Sequence, residues 1–510
     1  MPDNQKPFYI TTTLPYVNAD PHVGFAMEFI RADVVARYKI LQGYDVFFNT
    51  GTDEHGAKLY KAAEKEGIPV QEYVDRYAER FRGLAELLNI TPQVHFIRTT
   101  DTHHVAAAQA FWQKVNDNGY IYKKQYQTKY CTGCELEKTD SEVDENDCCL
   151  IHTGRPVEYI NEENYFFAYS KLADKLQAFY DSHPDFIIPD FRYNEMKSFL
   201  KNGLHDFSIS RVAEKMPWGV PVPDDETQVM YVWFDALVNY ISTLGWPENT
   251  ETFEKYWTNG TPVQYCGKDN TRQQSSMWQA MLIAADLPNS AHIVVNGFIN
   301  SGGEKMSKSI GNVINPYAVI EAYQAVAGDL ASDVLRYYLL RHMNSFEDAD
   351  MTLESLAEAY TANLCNGLGN LVSRIMKMVV SYEVSYLLPT DEDLLERRVS
   401  IDTTRRDSAE SDAVPEGFAQ KIESFDLKSA MDDIWREINS LDWLIQNKEP
   451  FKLAKTDMPE AQRIVGDLAI RLYIIGFLLQ PFMPNTAQTI LTLVKEKKSP
   501  EKPLFNRLDK

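Results

Sequence analysis

The chain has no run of about 18 apolar residues, and no apolar segment follows its first residues, Met1-Pro2-Asp3-Asn4-Gln5-Lys6. The first absence excludes a membrane-crossing helix and the second a secretory signal peptide of the usual form, so a cytoplasmic protein is expected. Cysteine is scarce. Six occur in 510 residues: Cys131, Cys134, Cys148 and Cys149 lie close together, and Cys266 and Cys365 stand apart. Such crowding in a chain without a secretory signal argues for a metal rather than disulfides. Positive charge is also short, with 51 Lys and Arg against 73 Asp and Glu and a net charge of −22. That sum argues against a protein that coats nucleic acid indiscriminately, while leaving room for a local basic patch. Any binding to RNA is then expected to be modest and salt-sensitive. Internal repeats and low-complexity tracts are absent.

What is present is an ordinary globular composition, 44% hydrophobic and 24% charged. A chain this long exceeds one core, and three or four domains are expected. Residues 8–13, 46–50 and 94–98 read as short buried strands, each followed by a helical pattern (25–41, 57–66 and 103–118). This alternation predicts an α/β fold with a parallel, doubly wound sheet. The runs 263–266 and 292–295 read as its later strands, with a helix over 275–285 between them. Residues 120–225 interrupt the pattern. Beyond about 326 the strand signals stop, and 332–342, 355–381, 417–447 and 458–479 carry helical apolar spacing, which predicts an α-helical bundle. Within it the stretch 391–412 is highly charged and reads as a solvated loop or linker.

Three clusters carry chemistry. Lys305-Met306-Ser307-Lys308-Ser309 follows Gly302-Gly303, and two lysines flanking hydroxyls in a glycine-led loop suit a polyphosphate that is gripped and later released. Pro21-His22-Val23-Gly24 lies between the apolar run Phe8-Tyr9-Ile10 and a helical pattern, which places His22 and Gly24 at a helix N-terminus. Free N–H groups and the helix dipole favour phosphate there. The two clusters belong to opposite halves of the sheet, where an open α/β fold forms its crevice. The third cluster is Cys131-x-x-Cys134 with Cys149-x-x-His152, the spacing of a zinc knuckle; Cys148 is an alternative to Cys149. Four protein ligands make such a zinc structural rather than catalytic.

Taken in order, the segments TTTLPYVNADPHVG (11–24), NTGTDEHG (49–56), YCTGCE (130–135), ENYFF (163–167), MYVWFDALVNYIS (230–242), GKD (267–269), KMSKS (305–309) and NGLGNLVSR (366–374) resemble the class I aminoacyl-tRNA synthetases, and within them the methionyl-tRNA synthetases. The resemblance implies a Rossmann-type catalytic domain in two halves (1–119 and 226–298) split by a zinc-bearing insertion (120–225). A KMSKS and stem-contact segment (299–350) and a helical anticodon-binding domain (351–510) follow. It implies methionine, ATP with Mg²⁺, and tRNA(Met), initiator and elongator, as substrates. By the same resemblance His22, Gly24, Lys305 and Lys308 serve the phosphates, and Gly267 and Asp269 face the nucleoside. Asp53 holds the α-amino group, and Leu14, Tyr16, Trp233, Ala236, Leu237, Tyr240, Gln274 and Trp278 surround the methionine side chain. Asn370 and Arg374 match the anticodon-reading pair.

Three positions depart from the family pattern. The His-x-Gly-His signature ends in Phe25, a usual His after GKD is Gln274, and the anticodon-stacking Trp after a Pro is Phe451, following Pro450. Phe451 still offers a face on which a base stacks, and Gln274 retains a donor and an acceptor. Phe25 cannot hydrogen-bond a nucleotide, and a modified nucleotide site is expected. The insertion is short for the editing domain of the leucine, isoleucine and valine relatives. A degenerate RNA-binding paralogue has no use for Asp53, Asp269, Lys305 and Lys308. With no basic module after the bundle, a monomer is expected.

Overall fold

The computed structural model describes residues 5–134, 136–306, 311–395 and 414–508. Six parallel strands form the central sheet in the order Val94–Arg98, Asp45–Thr52, Pro7–Thr11, Pro262–Gly267, His292–Asn296 and Ile187–Ile188. Phe8, Tyr9 and Ile10 are buried, as are Val263, Tyr265 and Cys266. That is the near-continuous apolar pattern of strands covered on both faces. Strand order reverses between Pro7–Thr11 and Pro262–Gly267, and a doubly wound sheet opens its crevice there, beyond the carboxyl ends of the strands. The helix Val23–Leu41 follows the first strand and packs Ala26, Ile30 and Val34 inward.

The segment between the halves is built on an antiparallel pair, Ile121–Cys131 with Glu158–Phe167, in register from Ile121↔Phe167 to Tyr130↔Glu158. The knuckle sits at the far end of this ribbon. Within the same segment, Ile187–Ile188 returns to the edge of the central sheet beside Ile293 and Val294. After the sheet come a small antiparallel turn (Ile299–Ser301 with Glu304–Lys305) and the helices Pro316–Ala327 and Ala331–Arg341.

The bundle contains Asn370–Ser381, Leu427–Lys448, Met458–Leu479 and Pro484–Glu496. Its interior is continuous with that of the central sheet: one apolar core runs from Phe8 to Phe505. A buried ionic knot crosses the same junction. Arg336 is wholly buried, pairs with Asp33 at 2.7 Å, and donates to the carbonyls of Leu88, Pro481 and Phe482. Asp333 accepts from the Thr486 N–H at 2.6 Å.

Two expected helices differ in detail. The pattern over 417–447 is broken into Phe418–Glu423 and Leu427–Lys448, because Phe425 takes φ 62° and places its ring 5.9 Å from Tyr265. The pattern over 355–381 contains a π-helical stretch, Tyr360–Gly369, which inserts wide turns before Asn370. Of the charged stretch 391–412, Asp391–Leu395 is a short helix, and its remainder from 396 lies outside the described residues. No described helix is long and apolar enough to cross a membrane.

Candidate active site

Two cavities open at the crevice. The first is lined by Thr13, His22, Gly24, Phe25, Glu28, Gly267, Asp269, Asn296, Phe298 and Lys305. His22 caps the helix Val23–Leu41: its Nδ1 accepts the Gly24 N–H at 3.0 Å. A neutral imidazole that accepts at Nδ1 carries its proton on Nε2 and is a donor there. Burial, with Lys305 nearby, lowers the His22 pKa to about 4, so the ring is neutral at physiological pH. Gly24 cannot be exchanged without cost, since a Cβ there would lie 2.7 Å from the His22 ring. Lys305 reaches in from the opposite half, its Nζ 4.6 Å from the centre of the Phe298 ring. Helix N–H groups, a neutral imidazole and a lysine ammonium together suit a polyphosphate. Lys308 lies outside the described residues.

The second cavity is lined by Leu14, Tyr16, Asp53, Trp233, Ala236, Leu237, Tyr240 and Gln274, and it shares Thr13, Phe25, Asp269 and Asn270 with the first. Asp53 is buried at the end of the strand Asp45–Thr52, held by a bridge to Tyr16 in which its N–H donates to the Pro15 carbonyl at 3.0 Å. Gln274 is the second residue of the π-helical turn Gln273–Met277; its Nε2 donates to the Tyr240 hydroxyl and its Oε1 accepts from Gln264 at 2.6 Å. Trp233 and Ala236 are carried by Val232–Ala236, which is anchored by a buried His55–Asp235 pair at 2.8 Å. Trp278 does not line the cavity. It stands one layer behind, fully buried, its ring 5.9 Å from that of Tyr240.

Phe25 occupies the seam between the cavities. Its ring lies 4.4 Å from His22 and meets Phe81 edge-on at 5.5 Å. Glu28, Asn296 and the His55–Asp235 pair were not singled out from sequence. Glu28 accepts the Thr13 N–H at 2.7 Å, and burial raises its pKa to about 7. Its one sequence signal was a lone acid inside the apolar run Phe25-Ala26-Met27-Glu28-Phe29-Ile30.

At the ribbon tip the ligand atoms of Cys131, Cys134, Cys149 and His152 all lie within 4.8 Å of one another. Cys134 Sγ is 3.5 Å from Cys149 Sγ and 3.3 Å from His152 Nδ1, spacings a tetrahedral ion with bonds of about 2.0–2.3 Å requires. The Cys148 thiol instead donates to the Asn146 carbonyl at 3.7 Å, so the geometry favours Cys149. Lys58 donates to the Gly133 carbonyl at 2.7 Å, and Cys134 lines the second cavity, which puts the knuckle against the site.

Far from the crevice, Asn370 and Arg374 lie on the helix Asn370–Ser381, and Arg374 Nη1 contacts Asp442 Oδ1 at 2.5 Å. Phe451 is 45% exposed.

The family described as "tRNA synthetases class I (M)" matches residues 8–153 and 137–376. The chain is 37% identical over 500 residues to the methionine–tRNA ligase of Thermotoga maritima, covering 97% of this chain and 76% of that one. It is also 37% identical to the methionine–tRNA ligase of Brucella suis, covering 96% and 92%. Among solved structures it is similar to a Mycobacterium tuberculosis methionyl-tRNA synthetase in complex with methionyl-adenylate, with a TM-score of 0.86, 34% identity, and 98% and 100% of the two chains covered. With the sheet, the crevice and the knuckle in place, these likenesses extend nearly end to end, and the chain belongs to the class I methionyl-tRNA synthetase family.

Proposed function

We propose that the two cavities bind ATP and methionine side by side and that the enzyme, a methionine–tRNA ligase, charges initiator and elongator tRNA(Met). The observation that carries this reading is the seam. Asp53 in one cavity and His22 with Lys305 in the other approach a shared wall at Phe25 and Asp269. Asp53 holds the methionine ammonium, so that the carboxylate points at the α-phosphate. One carboxylate oxygen forms a bond to that phosphorus as the bond to the pyrophosphate oxygen breaks. His22 Nε2, the N–H groups around Gly24, Lys305 and Lys308 take up the charge on the leaving pyrophosphate. Gly267 and Asp269 hold the nucleoside. A hydroxyl of the tRNA's 3′-terminal adenosine then attacks the acyl carbon, and AMP departs.

Leu14, Tyr16, Trp233, Ala236, Leu237 and Tyr240 enclose the thioether, which gains from sulfur–aromatic contacts. Trp278 acts behind Tyr240, and Gln274 orients the Tyr240 hydroxyl. The only group of three or more metal-ligating side chains among the described residues is the knuckle. A Mg²⁺ would accompany the triphosphate. Zinc at Cys131, Cys134, Cys149 and His152 would hold the ribbon tip against the second cavity. At the bundle, Asn370 and Arg374 read the anticodon and Phe451 stacks one of its bases.

Amino-acid-dependent ATP–pyrophosphate exchange with the twenty standard amino acids tests the reading. Exchange with methionine alone is expected. Exchange with another amino acid would reassign the pocket, and none with any would leave an RNA-binding protein.

A further inference from the structure

Residues 232–240 supply Trp233, Ala236, Leu237 and Tyr240 to the second cavity, and buried polar ties suspend this segment from the first half of the sheet. The Tyr9 hydroxyl donates to the Tyr240 carbonyl at 2.8 Å. Asn49 Nδ2 donates to Asn239 Oδ1 at 3.1 Å, and Asn239 Nδ2 donates to the Ala236 carbonyl at 2.6 Å. A further tie is the His55–Asp235 pair, in which Nδ1 donates to Oδ2 at 2.8 Å and the side chains are 7% and 0% exposed.

This pair differs from the other ties in where it starts. Tyr9 and Asn49 lie inside strands, whereas His55 stands two residues beyond Asp53, on the same turn. That turn is clamped from outside. Trp218 Nε1 donates to the Glu54 carbonyl at 2.6 Å, the Gly56 N–H donates to the Trp218 carbonyl at 3.2 Å, and the Trp218 ring meets His55 edge-on at 5.6 Å. Glu54, wholly buried, accepts from Arg98 at 2.7 and 2.8 Å. At the other end of the pair, Asp235 sits between Trp233 and Ala236 on Val232–Ala236. Neither His55 nor Asp235 is among the residues lining the cavity, so both act through their neighbours.

We propose that His55 and Asp235 are positioning residues that set the span between Asp53 and the wall at Trp233 and Ala236, and with it the length of side chain that the cavity accepts. This rests on the reading that Asp53 holds the ammonium and that the wall encloses the substrate side chain. A hydrogen bond weakens once stretched by about 0.5 Å, whereas apolar surfaces in contact slide. A wall held at a fixed span rejects a side chain one methylene too long; a wall that drifts admits it. One methylene in a hydrophobic pocket is worth about 10- to 200-fold in kcat/KM, and the pair protects that discrimination.

Four variants test it. Asp235→Leu removes the bond, fills the volume and leaves no unpaired charge. His55→Asn keeps a donor in the place of Nδ1, and Asp235→Asn keeps an acceptor. Asp53→Asn is the control on the ammonium reading. Each is assayed by pyrophosphate exchange with methionine and with ethionine, which is one methylene longer, and at varied ATP. Asp235→Leu is expected to raise the KM for methionine about five- to tenfold and to cut the kcat/KM preference for methionine over ethionine about tenfold, with the KM for ATP within about twofold of the parent. The two amide variants should keep the preference within about threefold of the parent. A mere anchor of the fold would move both KM values together and leave the preference alone. The proposal is overturned if Asp235→Leu keeps the preference within about twofold, if it moves both KM values together, or if the amide variants lose the preference as fully as it does. Asp53→Asn should raise the KM for methionine. If it does not, the ammonium reading fails and the span with it; if it does while Asp235→Leu is silent, the span alone fails. Should Asp235→Leu not fold, His55→Ala is read by the same criteria.

Discussion

Glu28 shares its wall with apolar side chains and with groups already bonded to one another, and its carboxyl is pushed up to about 7 by burial from an ordinary 4.5. A folded-state pKa above the unfolded one means that the folded chain holds the proton more tightly. The stabilisation is complete below pH 4.5 and is lost as pH rises toward 7. Glu28→Gln removes that loss. Its melting temperature should exceed the parent's at pH 8, by the equivalent of about 1–2 kcal/mol after allowance for partial exposure, and match it at the acid end. Equal melting of the two proteins across the series would refute the assignment. Phe25 lies on both cavities and against His22. Phe25→Ala is therefore expected to raise the KM for ATP and for methionine alike, each by about fivefold. A change in one alone would place the ring in a single cavity.

Elements differ in how plainly their sequences announce them. The knuckle ribbon has little apolar interior of its own, with Cys131, Cys149 and Val157 as its buried cluster, so an ion held there would supply folding energy. Chelation should loosen the ribbon and raise the methionine KM through the contact of Cys134 with the second cavity. Cys149→Ser should reproduce this and Cys148→Ser should not, with zinc content and limited proteolysis as readouts. Spacing alone could not choose between two adjacent cysteines; the choice follows from which thiol the turn aims inward. Helices with unbroken periodicity, such as Ala57–Glu66 and Met458–Leu479, match their sequence patterns end to end. The break at Phe425 left no trace, because no glycine or proline marks it and the positive φ is held by packing on Tyr265. The π-helical turns were invisible for a similar reason: one added residue per turn leaves composition unchanged. His22, Gly24 and Lys305, which line one cavity, were legible as motifs. Arg31 and Asn296 were not, since they pair with each other across 265 positions, and Glu28 was not, since it is one acid within an apolar run.

For the molecule as a whole, a net charge of −22 must meet a polyanion. Contacts to tRNA are expected to be few and local, so the KM for tRNA should climb steeply with KCl, while exchange, which involves no nucleic acid, changes little. Parallel salt curves for both reactions would show that the acidic surface does not govern tRNA capture. The Arg336 knot adds a different constraint. Its guanidinium belongs to Ala331–Arg341, its carboxylate partner Asp33 to the helix Val23–Leu41, and two of its carbonyl acceptors to the turn at Pro481 and Phe482. Severing the chain near position 350 would strip those two acceptors from a charge with no access to water, and open the core that runs from Phe8 to Phe505. The sheet and the bundle are thus not interchangeable cassettes: a graft that swaps the bundle must bring its own hairpin turn to receive Arg336, or begin with an orphaned cation at the junction.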